Sequence, residues 1–168
     1  EDGMRFIDIE TNLAHDTLWC HGIYDDVTKT KTLYAADSDL HLCADWRPYS
    51  DMPSPDDGTE YVAHYGIGFD FPKLAELAGY VIPVDKQVDT VLLSKMHDPN
   101  FPNGHSLANL AIRARKALKT DFDKADFDRG LTVKMGSYCL DDCVALASVY
   151  HWLVKQLDSM RYDWEAVY

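Results

Sequence analysis
Long apolar runs are missing from this chain. None of its 168 residues falls in a stretch approaching the roughly 18–20 apolar residues of a membrane-spanning helix. No basic segment leads into an apolar one as a secretory signal would, so a cytoplasmic location is expected. Cysteine is scarce: Cys20, Cys43, Cys139 and Cys143 are the full set, and only the last two lie close together. Without a further Cys or His pair at short spacing, a finger-like zinc site is not expected. The thiols read instead as reduced and mostly buried. Positive charge is also short, with 16 Lys and Arg against 28 Asp and Glu and a net charge of −12. A protein that grips long duplexes through bulk electrostatics is basic, which excludes that class of stand-alone binder. An acidic chain still reaches phosphates where divalent cations bridge its carboxylates to them.

Repeats, low-complexity tracts and inter-domain linkers are absent as well. The length suits one domain with a full core, so residues 1–168 are expected to form a single domain. Glu1-Asp2-Gly3 reads as a cloning remnant ahead of a natural start at Met4.

What is present begins with strands. "RFIDIET", "LWCHGIYDD" and "KTKTLYAA" are rich in β-branched and aromatic residues, with a hairpin turn near Asp25-Asp26, and predict three antiparallel strands. "SDLHLCADW" predicts a helix capped by Ser38, and "DWRPYSDMPSPDDG" a loop. A fourth strand, "EYVAHYG", leads into a glycine turn. "FPKLAELAGY" follows as a helix with Pro72 in its first turn and Gly79 at its C-cap. "QVDTVLLSKM" reads as a short strand passing into a helix, and "DPNFPNG" as a loop. "HSLANLAIRARKALK" is a helix with Leu107, Leu110, Ala111 and Ala114 on one face. "TDFDKADFDRGLTVK" is a loop or short helix. A last long helix is expected from about Met135 to Leu157, with Leu140, Val144, Ala147, Tyr150 and Val154 at helical spacing. Strands first and helices interleaved later predict an α/β fold, a mixed central sheet flanked by helices.

The carboxylates carry the chemistry. Asp8 and Glu10, two apart on a strand, project to one face while Ile7 and Ile9 take the other. Alone, that pattern describes either a solvated edge strand or a pair of ligands converging on small cations. Asp70, at the strand-to-helix turn "HYGIGFDF", either caps the helix or joins such a site. In "YCLDDC", Tyr138 and Asp142 lie four apart on one helical face, with Asp141 competing for the role. Asp residues near a helix N-terminus are also ordinary dipole partners.

Taken in order, D-x-E on a first strand, Asp at a strand-to-helix turn and Y-x-x-x-D on a late helix resemble the DEDD 3′–5′ exonucleases of the ribonuclease-H-like (DnaQ-like) superfamily. Tyr in the third motif matches the DEDDy branch. The resemblance spans Phe6 to about Leu157 and is nearest to the proofreading domain of bacteriophage family A DNA polymerases, whose linking segments "VDTVLLSKMHDPN" and "GHSLANLA" resemble. It implies a ribonuclease-H-like fold and two divalent cations, Mg2+ or Mn2+, held by Asp8, Glu10, Asp70 and Asp142. It implies Tyr138 orienting a nucleophilic water with help from Glu10, and release of nucleoside 5′-monophosphates from a 3′ end, DNA being favoured. Two such ions would bring a formal +4 against the −4 of the cage. The implied partners are a nucleic-acid 3′ end and a DNA polymerase or replication protein, in a host cytoplasm if the chain is phage-encoded.

The chain departs from that family at one place. Where relatives carry Asn in the second motif, Tyr65 stands here, either stacking on a terminal base or packing on the neighbouring helix. Further expected substrate contacts are Thr11 and Phe69 beside the first two motifs, His105, and Arg113 and Arg115 of the basic run that also holds Lys116 and Lys119. His64 and His97 read as structural, and Trp152 and Trp164 as core. Two alternatives stay open: an exoribonuclease on short RNA, and a non-catalytic accessory that docks on a polymerase.

Overall fold
The computed structural model describes residues 3–114 and 123–167. A six-stranded mixed sheet organises it, in the order β4-β3-β2-β1-β5-β6. β1 (Met4–Thr11), β2 (Leu18–Asp25) and β3 (Thr30–Ala35) form the expected antiparallel meander. β4 (Arg47–Pro48), inside the stretch read as loop, pairs parallel with β3. β5 (Glu60–Ala63) pairs parallel with β1, and β6 (Gln87–Asp89) parallel with β5. The helices are α1 (Asp70–Ala78), α2 (Thr90–His97), α3 (Leu107–Arg113) and α4 (Val133–Val167). Among the described residues no helix is long and apolar enough to cross a membrane.

Local chemistry accounts for most boundaries. Gly79 ends α1 in the left-handed conformation (φ 65°), which its missing Cβ permits without strain. Asp89 and Ser106 cap α2 and α3 by accepting backbone N–H bonds. Two expectations need correction. "SDLHLCADW" forms a 3-10 helix over Asp37–Leu42 with Ala36, not Ser38, at its cap. Leu40 and Leu42 pack only partly buried against the core, a contact too short to extend the turn into an α-helix. The last helix starts earlier and ends later than predicted. Its fully buried line is Met135, Cys139, Cys143, Leu146, Val149 and Leu153; of the five residues first assigned, only Ala147 is buried to that degree. α4 lies across β1, β2 and β3, and the residues one position earlier meet the sheet.

β1 sits in the middle of the sheet, which removes the solvated-edge reading of Asp8 and Glu10. Ile7 and Ile9 pack on one face with Tyr61, Phe71, Leu74 and Tyr80. Phe6 packs on the other with Val62, Leu146 and Ala147. The two-residue period of the strand therefore turns Asp8 and Glu10 toward α4.

The close seat of α4 depends on Gly136. A Cβ built there would lie 2.5 Å from Cζ2 of Trp46 and 2.8 Å from Cδ2 of Leu33. In an open helix Gly→Ala gains about 1 kcal/mol, whereas overpacking a core costs about 1–3 kcal/mol. Gly136→Ala is thus expected to lower the urea midpoint. A raised midpoint would show that Trp46 yields freely and would refute the packing argument.

Candidate active site
Four carboxylates from three elements lie near enough that Asp8 and Glu10 each feel the charges of Asp70 and Asp142. β1 carries Asp8 and Glu10, α1 opens on Asp70, and α4 carries Asp142. Glu10, Asp70 and Asp142 are only 7, 4 and 9% exposed. Asp8 Oδ2 and Asp70 Oδ2 are sealed from solvent with no hydrogen-bond partner. Burial raises the Asp8 pKa well above the carboxylate range, and Glu10, Asp142 and Asp70 add to it by repulsion. Burial first, then the neighbouring Cys139 and, after it, Asp142 and Asp70, pushes Glu10 up to about 9 against a hydrogen bond with Asp8. Asp70 rises to about 8, chiefly by burial, against hydrogen bonds from its own backbone and from Ile9. Asp142 rises to about 7, burial again leading. The capping alternative for Asp70 does not describe it: Phe69 holds the cap position, and Asp70 is the first helical residue.

Tyr138 stands one turn before Asp142, half-buried. Its phenol pKa is raised by burial, then by the charges of Asp142, Glu10 and Asp8, so it keeps its proton. Asp141 lines a different hollow, with Lys31, Trp46 and Ser137, beside β3. Asp142 is the member of that pair whose charge acts on Asp8 and Glu10.

The turn delivering Asp70 is held by a residue that motif reading passed over. Asp89, 5% exposed, accepts N–H bonds from Tyr65 (3.0 Å), Ile67 (3.1 Å) and Val91 (2.9 Å). Its one visible signal was the cap-like position before "TVLL".

Beside Glu10 opens a cleft of about 310 Å³ lined by Ile9, Thr11, Leu13, His15, Phe69 and Phe127. Thr11 and Phe69 are thus brought next to the carboxylates. Thr11 Oγ1 lies 2.9 Å from His15 Nδ1, and the His15 ring meets Phe69 edge-on at 5.0 Å. Phe127 comes from a 3-10 turn (Lys124–Asp128) tied down by Trp19 Nε1, which donates to the Phe127 carbonyl, and by Asp128, which accepts from Leu13 N. Leu13, His15 and Phe127 carried no motif signal, because only the turn's return across the sheet makes them neighbours.

The other expected contacts divide. Tyr65 is 59% exposed with φ 59°, and its ring lies over Gly68, where a Cβ would come within 2.7 Å. It packs on its own turn and leaves an open face. His105 is engaged within the protein, Nδ1 with Ser94 Oγ at 2.6 Å and Nε2 with the Pro99 carbonyl at 3.3 Å. His64 bridges Thr90 and the His105 carbonyl. Arg113 sits over the Phe101 ring at 5.4 Å, in the cluster of Leu110 and Leu153. Trp152 packs against that cluster. Arg115, Lys116 and Lys119 lie outside the described residues, as does the side chain of Trp164.

The donor set fits a hard divalent cation. Two sealed carboxylate oxygens without partners are costly unless a cation or proton completes them, and carboxylate oxygen is the ligand of magnesium and manganese.

No family model matches this chain, and none of the curated proteins matches it. Solved structures do. A nuclease in its apo form superposes with a TM-score of 0.63 at 19% identity, over 94% of this chain and 74% of its own. An EXD2 exonuclease domain soaked in Mg and GMP gives 0.40 at 20% identity, over 98% and 81%. The same domain soaked in Mn gives 0.39 at 21%, over 91% and 77%. With its mixed six-stranded sheet flanked by helices, the chain has a ribonuclease-H-like α/β fold.

Proposed function
We propose that this chain, as a single domain, is a DEDDy-type 3′–5′ exonuclease that removes nucleoside 5′-monophosphates from single-stranded DNA. The observation that carries the reading is the convergence of Asp8, Glu10, Asp70 and Asp142 with two sealed, unpartnered oxygens among them. Held among these four residues, two Mg2+ or Mn2+ ions would stabilise the charge of the phosphate and lower the pKa of a water. Asp8 and Asp70 offer oxygens that folding has already stripped of water, so little further desolvation accompanies binding. Tyr138, still protonated, orients the attacking water through its hydroxyl, and Glu10 accepts that water's hydrogen bond. Leu13, Phe69 and Phe127 give the cleft apolar walls against which a terminal base can stack, next to the carboxylates. The net charge of −12 favours a partner, a polymerase or replication protein, that presents the strand.

The test is digestion of a 5′-labelled single strand with Mg2+. A ladder of shortened products is expected from the wild type and none from Asp8→Asn; no ladder from either would end the proposal. Faster loss of an RNA strand would reassign the substrate. Tyr138→Phe removes the orienting hydroxyl alone. It is expected to lower kcat by about 10–100-fold with Mn2+ affinity unchanged, and unchanged kcat would remove Tyr138 from the mechanism.

A further inference from the structure
Cys139 was read from sequence as a buried thiol of the last helix. The fold brings it to the carboxylates. Its Sγ and one carboxylate oxygen from each of Asp8 and Glu10 all lie within 4.8 Å of one another, the one such group of metal-binding side chains among the described residues. The thiol is fully buried and directed at β1, donating to the Asp8 carbonyl at 3.4 Å. Independently, Asp8 Oδ2 is sealed with no partner.

On the footing of the cation site proposed above, we infer that Asp8, Glu10 and Cys139 form a position that takes Zn2+ in preference to Mg2+. The chemistry of the donors sets the choice. Mg2+ demands six oxygen ligands in near-octahedral geometry and keeps several waters, so a sulfur adds nothing to its binding. Zn2+ accepts mixed sulfur and oxygen donors at low coordination number, with sulfur at about 2.3 Å. Binding replaces the S–H bond by S–Zn, and the proton leaves to solvent: RSH + Zn2+ → RS–Zn+ + H+. Zn2+ then competes with Mg2+ for Asp8 and Glu10 and inhibits at concentrations well below the Mg2+ requirement. Cys20, opposite Glu10 in the β1–β2 register, and Cys143, one turn beyond Cys139, lie nearby without joining the group.

The experiment uses the full chain with Co2+ as a spectroscopic stand-in. A sulfur-to-cobalt charge-transfer band is expected in wild type, Cys20→Ala, Cys43→Ala and Cys143→Ala, and is expected to be lost in Cys139→Ser. Zn2+ affinity in Cys139→Ser should fall by about 10–100-fold, while Mn2+ affinity changes by less than about threefold. Zinc-edge X-ray absorption on the loaded wild type needs no variant: one sulfur among oxygen donors supports the assignment, and an oxygen-only shell overturns it. A band that persists in Cys139→Ser, or that is absent while Mn2+ binds normally, also overturns it. If Mn2+ fails to bind the wild type, the underlying cation site itself is refuted, a result distinguishable from the others.

Discussion
Asp8→Asn is expected to slow release of 3′ nucleotides by about 10⁴-fold at saturating Mg2+, equivalent to about 5 kcal/mol of lost transition-state stabilisation. The side chain keeps its size, so Ile7 and Ile9 hold β1 in place against Tyr61, Phe71 and Leu74. What changes is charge. An amide carries no formal charge and offers one oxygen where the carboxylate offered two, and Asp8 is the residue on which Glu10, Asp70 and Asp142 all act. A cation held there would lose a ligand, and the phosphate would lose the charge that such a cation would supply. The loss should be far larger than that of Tyr138→Phe, which touches only the orientation of water. Quantified ladders from a 5′-labelled strand give the rate; residual activity above about a tenth of wild type would show that Asp8 is not part of the reacting site.

The same substitution should stabilise the cation-free protein. Glu10, Asp70 and Asp142 are pushed up to about 9, 8 and 7 in the folded chain, chiefly because burial disfavours the charged form. A raised folded pKa means that the native state holds protons the unfolded chain has already released. Stability is then fullest below the unfolded values near 4 and is lost as pH rises through the folded values. Between pH 6.5 and 9 the expected slope is about 1.4 kcal/mol per pH unit for each proton still held, and a total loss of at least about 2 kcal/mol. The buried His21, whose pKa is depressed to about 3 by burial, stays neutral in the folded state throughout this window and does not mask the effect. Asp8→Asn buries an amide that needs no proton taken up at this pH, so in EDTA at pH 8 its stability, read from the denaturant midpoint, should exceed that of the wild type by about 2–4 kcal/mol. Mg2+ should close most of that gap: cation at 100 times its Kd adds about 2.7 kcal/mol to a protein that binds it and nothing to one that does not. A flat or rising wild-type profile in EDTA over that window would contradict the buried-cage electrostatics.

How much of this was legible without coordinates differs by element. The period-two pattern of "RFIDIET" was enough to place Asp8 and Glu10 on one face and Ile7 and Ile9 on the other, because a strand's side-chain geometry is local. The meander, the Gly79 terminus of α1 and the strand-to-helix passage at Asp89–Thr90 followed from equally local turn and cap chemistry. The 3-10 helix at Asp37–Leu42 and the two-residue β4 escaped, since such short elements lack a periodic signal and exist through the sheet they pack on.

Contact between distant segments was beyond local rules. Nothing near Asp8 in the chain said that its strand is central, that Phe127 closes a cleft over Glu10, or that α4 turns Cys139 rather than Leu140 toward the sheet. Those are outcomes of packing: the close seat of α4 over Gly136 and the return of the Lys124–Asp128 turn across the sheet. The order of residues, through the resemblance it carries, grouped four carboxylates and a tyrosine as candidates. Only the packed chain put a thiol within reach of two of them, because that proximity joins residues about 130 positions apart, as the Cys139–Asp8 contact does.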